Sequence, residues 1–175
     1  MRTLNIRFAI IVSVVVVVGA VLVHLWHGRQ MESNAGFFYN EAQRNRELAA
    51  AAAQKGDATA KAEAEKQAID YLTWYVRLAP NKLDALEELS LMTADQAQQG
   101  DLVLSPRKFG EAIGLLELLV RRDPKRSAAR QRLIKMCLFV HRFRDAKEHL
   151  EELLKTTPGD AALLEQLAKC QVGLA

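Results

Sequence analysis

Apolar residues follow two different rhythms along this chain. From Phe8 to Trp26 (FAIIVSVVVVVGAVLVHLW) they are continuous over 19 residues, with only Ser13 and His24 markedly polar. Beyond residue 36 they recur every three or four positions, the period that puts one face of a helix against a core. Helix-stopping residues divide this second part: Gly56-Asp57, Pro80-Asn81, the run GDLVLSP ending at Pro106, Asp123-Pro124, a turn near His141-Arg142, and Gly159-Asp160. Between them the pattern predicts helices over Gly36 to Gln54, Ala58 to Ala79, LDALEELSLMTADQAQQ, about Arg107 to Asp123, Ala128 to Phe139, a segment ending at Thr157, and Ala161 to about Val172. The first should present Phe37, Phe38, Glu41, Ala42, Asn45, Leu48 and Ala49 as its packing stripe, and it should pair with the second as a hairpin. The expected class is all-α.

Three of these helices are one pattern written three times: AIDYLTWYVRLAP, AIGLLELLVRRDP and AKEHLEELLKTTP. Aligned on Ala68, Ala112 and Ala146, they place Leu72, Leu116 and Leu150 four residues on. Tyr75, Leu119 and Leu153 follow at seven, Val76, Val120 and Leu154 at eight, and a proline closes each copy. Phe109 and Phe143 precede their alanines by three, where the first copy has Glu65. A small residue at one point lets a neighbouring helix approach, and the leucines fill the opposing groove.

The last two alanines are 34 residues apart, and HRFRDA reads as the turn, aromatic, acid and alanine that join two helices of one unit. In these features the chain resembles the tetratricopeptide repeat family. The first two alanines are 44 apart, which implies a 10-residue insertion around Gln98 to Lys108. The resemblance covers 62–175 well and 36–61 poorly, giving an anchor at 1–30, a helical stalk or degenerate first repeat at 31–61, and a repeat domain at 62–175. It implies helix-turn-helix units stacked in a right-handed solenoid, about three and a half here, the last helix reading as the sign of a longer array or else as a terminal cap with Glu165, Gln166 and Lys169 outermost. It further implies a concave groove lined by the first helix of each unit: Glu87, Leu91 and Ala94, then Gln131, Lys135 and Leu138, then Glu165, Lys169 and Val172. That groove would take a peptide or a helix. The lysine and asparagine set that clamps a C-terminal carboxylate in some family members is not reproduced, so a chaperone-tail receptor is not expected.

A helix from Phe8 to Trp26 would be about 28 Å long, close to the roughly 30 Å hydrocarbon layer of a bilayer. The run exceeds the core of a cleaved signal peptide, the competing reading, for which Ser33-Asn34-Ala35 is a loose cleavage site. The expectation is therefore a retained single-pass membrane anchor. Arg2 and Arg7 precede the span and Arg29 follows it, which places the repeats outside the cytoplasm by the positive-inside rule.

Charge changes little in this picture. With 24 basic and 21 acidic residues the net charge is +3, too balanced to imply a polyanionic partner from totals. One local cluster, Arg121, Arg122, Lys125, Arg126, Arg130, Arg132 and Lys135, could meet nucleic acid or lipid headgroups. Glu87, Glu88 and Asp95 before it, and Glu148, Glu151 and Glu152 after it, make pairing between neighbouring units the simpler expectation, and aromatics for base stacking are not interleaved. Glu87-Glu88 and Glu151-Glu152 are adjacent in sequence, hence on different helix faces, and read as solvated charge. His141 and His149 lack metal-ligand spacing, and the glycines do not form a phosphate loop. Cys137 and Cys170 read as buried thiols, or as one disulfide in an oxidising compartment. No catalytic residues, cofactor, metal, nucleic acid or small-molecule substrate are expected. The reading is a non-catalytic, membrane-anchored scaffold for a protein or peptide partner, and the alternative is the N-terminal interaction part of a larger membrane enzyme or secretion or assembly factor.

Overall fold

Each reversal of the chain has a local cause. Gly56 takes φ 72°, where a side chain would be strained, and Asp57 then accepts a hydrogen bond from the amide of Ala60 at 3.0 Å to open the next helix. Asp160 caps the last helix in the same way, accepting from Ala162 and Leu163. His141 adopts φ 59° between two helices, a left-handed position that favours glycine. The computed structural model describes residues 6–99 and 106–175, with side chains at 10–23, 35–99 and 106–175. Its described residues form seven helices: α1 (Ile6–Gln54), α2 (Ala58–Leu78), α3 (Leu83–Gln99), α4 (Pro106–Arg122), α5 (Ser127–Phe139), α6 (Phe143–Thr156) and α7 (Ala161–Leu174).

The second half of α1 pairs with α2, α3 with α4, and α5 with α6. Each second helix also packs on the first helix of the next pair, and α3 touches α5 directly. The hairpins therefore stack as a linear array, with α7 in the place of a fourth first helix. Registers inferred from the triplicate pattern hold: Ala68, Ala112, Ala146, Leu72, Leu116 and Leu150 are all fully buried. Phe109 is buried too, while Glu65 in the first copy lies at the surface beside Lys61, 3.5 Å away. One core cluster runs from α3 to α7 and a smaller one joins α1, α2 and α3, with Val76 and Leu115 packed against both.

Several expectations change. α1 is continuous from Ile6, so the helix expected to begin at Gly36 is the second part of a longer one that runs through the polar residues Gln30 to Asn34. No proline stands in that stretch to interrupt the amide ladder. Its packing stripe is narrower than expected: Ala35, Ala42, Asn45, Ala49 and Ala52 are buried, but Phe37 is 58% exposed and Leu48 is exposed as well. Alanines bring α1 and α2 close, which leaves the bulkier neighbours outside. The boundary placed between 61 and 62 falls inside α2.

Among the described residues no helix is long and apolar enough to cross a membrane. The side chains described in the apolar run are those of 10–23, and all are exposed. The side chains of Phe8 and His24 to Trp26, of Arg7 and of Arg29, together with Arg2 and the centre of the expected insertion at 100–105, lie outside the described residues.

Candidate partner groove

The first helices α3, α5 and α7 meet along one wall of the array, and ion pairs stitch it. Glu88 of α3 accepts from Arg46 of α1 at 2.5 Å and from Gln43 at 3.0 Å. Its sequence neighbour Glu87 faces the other way, to Arg126 near the start of α5. Arg126 also reaches Asp84 at 2.6 Å and Asp123 at 3.0 Å, and the hydrogen bonds it donates to Asp84, Asp123 and Glu87 raise its pKa above the usual arginine value. Arg132 of α5 pairs with Asp95 of α3. Two adjacent carboxylates thus serve opposite neighbours, because a step of one residue turns about 100° on a helix. The expectation of freely solvated charge for Glu87 and Glu88 is replaced by half-buried cross-links between units. Glu151 and Glu152 are exposed and, among the described residues, pair within α6, to Lys147 and Lys155.

This geometry separates the nine groove candidates. Ala94 is fully buried and cannot touch a partner. Leu91 and Leu138 are half-buried against the core, and Glu87 is held by Arg126. Glu165 and Lys169 are exposed but bridged to each other at 2.6 Å, and Val172 is 78% exposed. Gln131 and Lys135 remain, and they line a cleft of about 170 Å³ between α5 and α7 together with Ile134, Asp160, Leu163 and Gln166. Lys135 has no ion pair among the described residues. The α7 residue that turns into the cleft is Gln166, one position from the expected Glu165. The buried positions Leu163 and Cys170, seven apart, carry the signal that could have set this phase.

A larger cleft, about 600 Å³, lies on the other side of the array between α4 and α6. Arg142 crosses it to Glu117 at 3.0 Å and also meets Asp145. Arg130 is buried at its floor, donating to the Pro124 carbonyl at 3.3 Å, with its Nη1 3.4 Å from Nδ1 of His149. Burial first, and the Arg130 charge second, hold the His149 pKa below 6.5. Sequence spacing hid this cleft because its residues come from three helices.

Cys137 and Cys170 are free and buried. Burial pushes the Cys137 thiol up to about 11 and raises Cys170 as well. Among the described residues no cluster of histidine, cysteine and carboxylates could hold a metal.

Residues 103–170 match the tetratricopeptide repeat family. Two solved structures share the fold of this chain. MamA, 41 to the end, from Desulfovibrio magneticus RS-1 aligns with TM-score 0.53 and 17% identity, over 76% of this chain and 66% of that one. The MamA RS-1 ArsTM double mutant aligns with TM-score 0.54 and 16% identity, over 76% and 65%. This chain therefore spans just under two thirds of the MamA chains. The first tetratricopeptide repeat domain of Spaghetti (RPAP3), bound to the HSP90 peptide SRMEEVD, aligns at TM-score 0.48 and 17% identity, over 78% of this chain and 97% of that one. No curated protein sequence matches the chain. The two MamA likenesses show a stacked helical-repeat fold, and the family match lies within it at residues 103–170.

Proposed function

We propose that the protein is a non-catalytic scaffold that binds a protein or peptide partner in the α5–α7 cleft while its N-terminal helix holds it to a membrane. The observation that carries the binding role is the open cleft itself: Gln131, Lys135 and Gln166 stand free beside apolar Leu163, on a wall otherwise closed by ion pairs. An extended segment needs amide partners, an apolar seat and a countercharge, and these residues offer all three. The anchor rests on the unbroken apolar run from Phe8 to Trp26, whose described side chains are exposed on every face. A helix with no polar face is stable in lipid and costly in water. Anchoring concentrates the cleft near partners at the same surface, so modest affinity suffices. A second reading, the interaction part of a larger membrane enzyme or assembly factor, is favoured by the exposure of Leu164 and Val172 on α7, where a further helix could pack.

The test uses the full chain in its membrane. A photo-crosslinker at Gln131 or Lys135 should yield one discrete protein adduct that is lost with Gln166→Glu, and the same probe at Arg107 should not. Equal adducts at both places, or none, would remove the groove from consideration. Protease protection of sealed vesicles should shield 36–175 on the extracytoplasmic side, and cleavage from the cytoplasmic side would reverse the orientation.

A further inference from the structure

The repeat array has two edges, and α1 determines which of them faces the anchor. Tyr39 of α1 lies against Tyr75 of α2 with ring centroids 4.9 Å apart, while Lys61 and Glu65 share a pocket with Ala49, Ala50 and Ala53. The two helices are therefore antiparallel, and the α2–α3 turn at 79–82 lies toward the N-terminal end of α1. Arg122, at the end of α4, donates to the Pro80 carbonyl at 2.5 Å, which brings the α4–α5 turn to the same edge. With Tyr75 level with Tyr39, Pro80 stands near the level of residue 34. Along a continuous helix that is about 12 Å past Trp26. The headgroup layer fills roughly 5–8 Å of that distance. What remains is less than the screening length of about 8 Å at physiological salt.

Among the described residues the unpaired charge on this edge is basic. Lys82, Arg121 and Lys125 are exposed and have no ion pair among the described residues. Arg122 is exposed, and Arg77 stacks over Trp74, its guanidinium carbon 5.2 Å from the ring centroid. Among the described residues the acids at the turns are already engaged, Asp84 and Asp123 by Arg126, Glu152 by Lys155 and Asp160 as the cap of α7, whereas Glu148 of α6 lines a cleft with Arg121. Beside the turns, Phe37 and Trp74 leave aromatic surface exposed, Trp74 at 51%. Rings of this kind settle at membrane interfaces.

We propose that this edge, built from the turns at 79–82 and 122–126, rests on the anionic lipid headgroups of the membrane that α1 enters. The inference depends on the anchor reading and adds a second, electrostatic contact that fixes how the groove is presented. A nucleic acid would also accept the charge, but the continuity of α1 places this edge beside a bilayer. Each cation near an anionic surface shifts the docked population about fivefold.

The experiment takes the full chain with Asn81→Cys, whose exposed thiol can be dye-labelled while Cys137 and Cys170 stay buried. The chain is reconstituted in phosphatidylcholine vesicles, with or without phosphatidylglycerol, carrying a nitroxide on the headgroups. Dye quenching should be stronger with phosphatidylglycerol and should fall at high salt. It should also fall in Lys82→Glu with Arg121→Glu and Lys125→Glu, and stay unchanged in Arg107→Glu with Lys108→Glu at the opposite edge. Quenching indifferent to lipid charge, in a chain that resists alkaline carbonate extraction, overturns the lipid contact and leaves the anchor standing. Extraction by carbonate overturns both. Binding of duplex DNA or RNA in neutral vesicles, lost with the same three reversals, would assign the edge to nucleic acid instead.

Discussion

At the scale of single residues, His149 shows how a charge network acts on stability. It faces Arg130 from α5 and Glu117 from α4, with Asp145, Glu148 and Glu152 on its own helix. Burial beside a guanidinium disfavours the imidazolium, so the unfolded chain takes up a proton at higher pH than the folded one. Below the ordinary value of 6.5 the unfolded state gains protons first, and stability falls with pH until the folded form also titrates. Urea unfolding of the wild type at pH 7.5 and pH 5.5 should show this loss, and His149→Gln should flatten it. The carboxylates held low by hydrogen bonds, Asp57, Asp123, Glu152 and Glu165, act in a separate, more acidic window and lose their contribution only below their ordinary values of 3.8 to 4.5. The basic cluster divides by the same reasoning. Arg126 and Arg132 are structural, Arg130 is buried, Arg122 donates to the Pro80 carbonyl, and Arg121, Lys125 and Lys135 have no ion pair among the described residues.

At the scale of elements, α7 is the helix most open to selective loosening. It packs on α6 through Leu163 and Cys170, and Gly173 lies where an added Cβ would come within 2.5 Å of the Phe143 ring. Gly173→Ala must push that ring aside, at about 1–3 kcal/mol for overpacking of this kind. The expected result is faster labelling of Cys170 by a thiol reagent while Cys137, in the same core but on α5 rather than α7, stays protected. Equal rates for both thiols would mean that α7 is not an independent element. The α1–α2 hairpin behaves differently. Its alanine-on-alanine contact depends on close backbone approach over a long seam rather than on interlocking leucines, which explains why Phe37 and Leu48 could be displaced to its outside.

At the scale of the whole molecule, hairpins touch mainly their neighbours, so damage should stay near its origin. Leu150→Ala removes a fully buried side chain and should cost about 2–5 kcal/mol. Hydrogen exchange should then rise across α5, α6 and α7 and leave α1 and α2 close to wild type. A uniform rise would show a single cooperative unit. The same architecture ties function to orientation: a rigid first helix continuing from the apolar run decides which edge of every later unit looks toward the N-terminal segment.

The sequence by itself determined the helices from α2 onward, their stops, and the register of the three second helices, because those depend on local spacing and on small residues recurring at one point. The triplicate alanines and leucines were legible for that reason. It could not determine which carboxylate meets which arginine, since Glu87 and Glu88 differ only by a rotation that becomes visible once α1 and α5 stand on opposite sides of α3. Nor could it separate Gln166 from Glu165, or reveal that Arg130 and His149 share a cleft built from three helices. Those facts depend on distances between segments, and tertiary packing alone decided them.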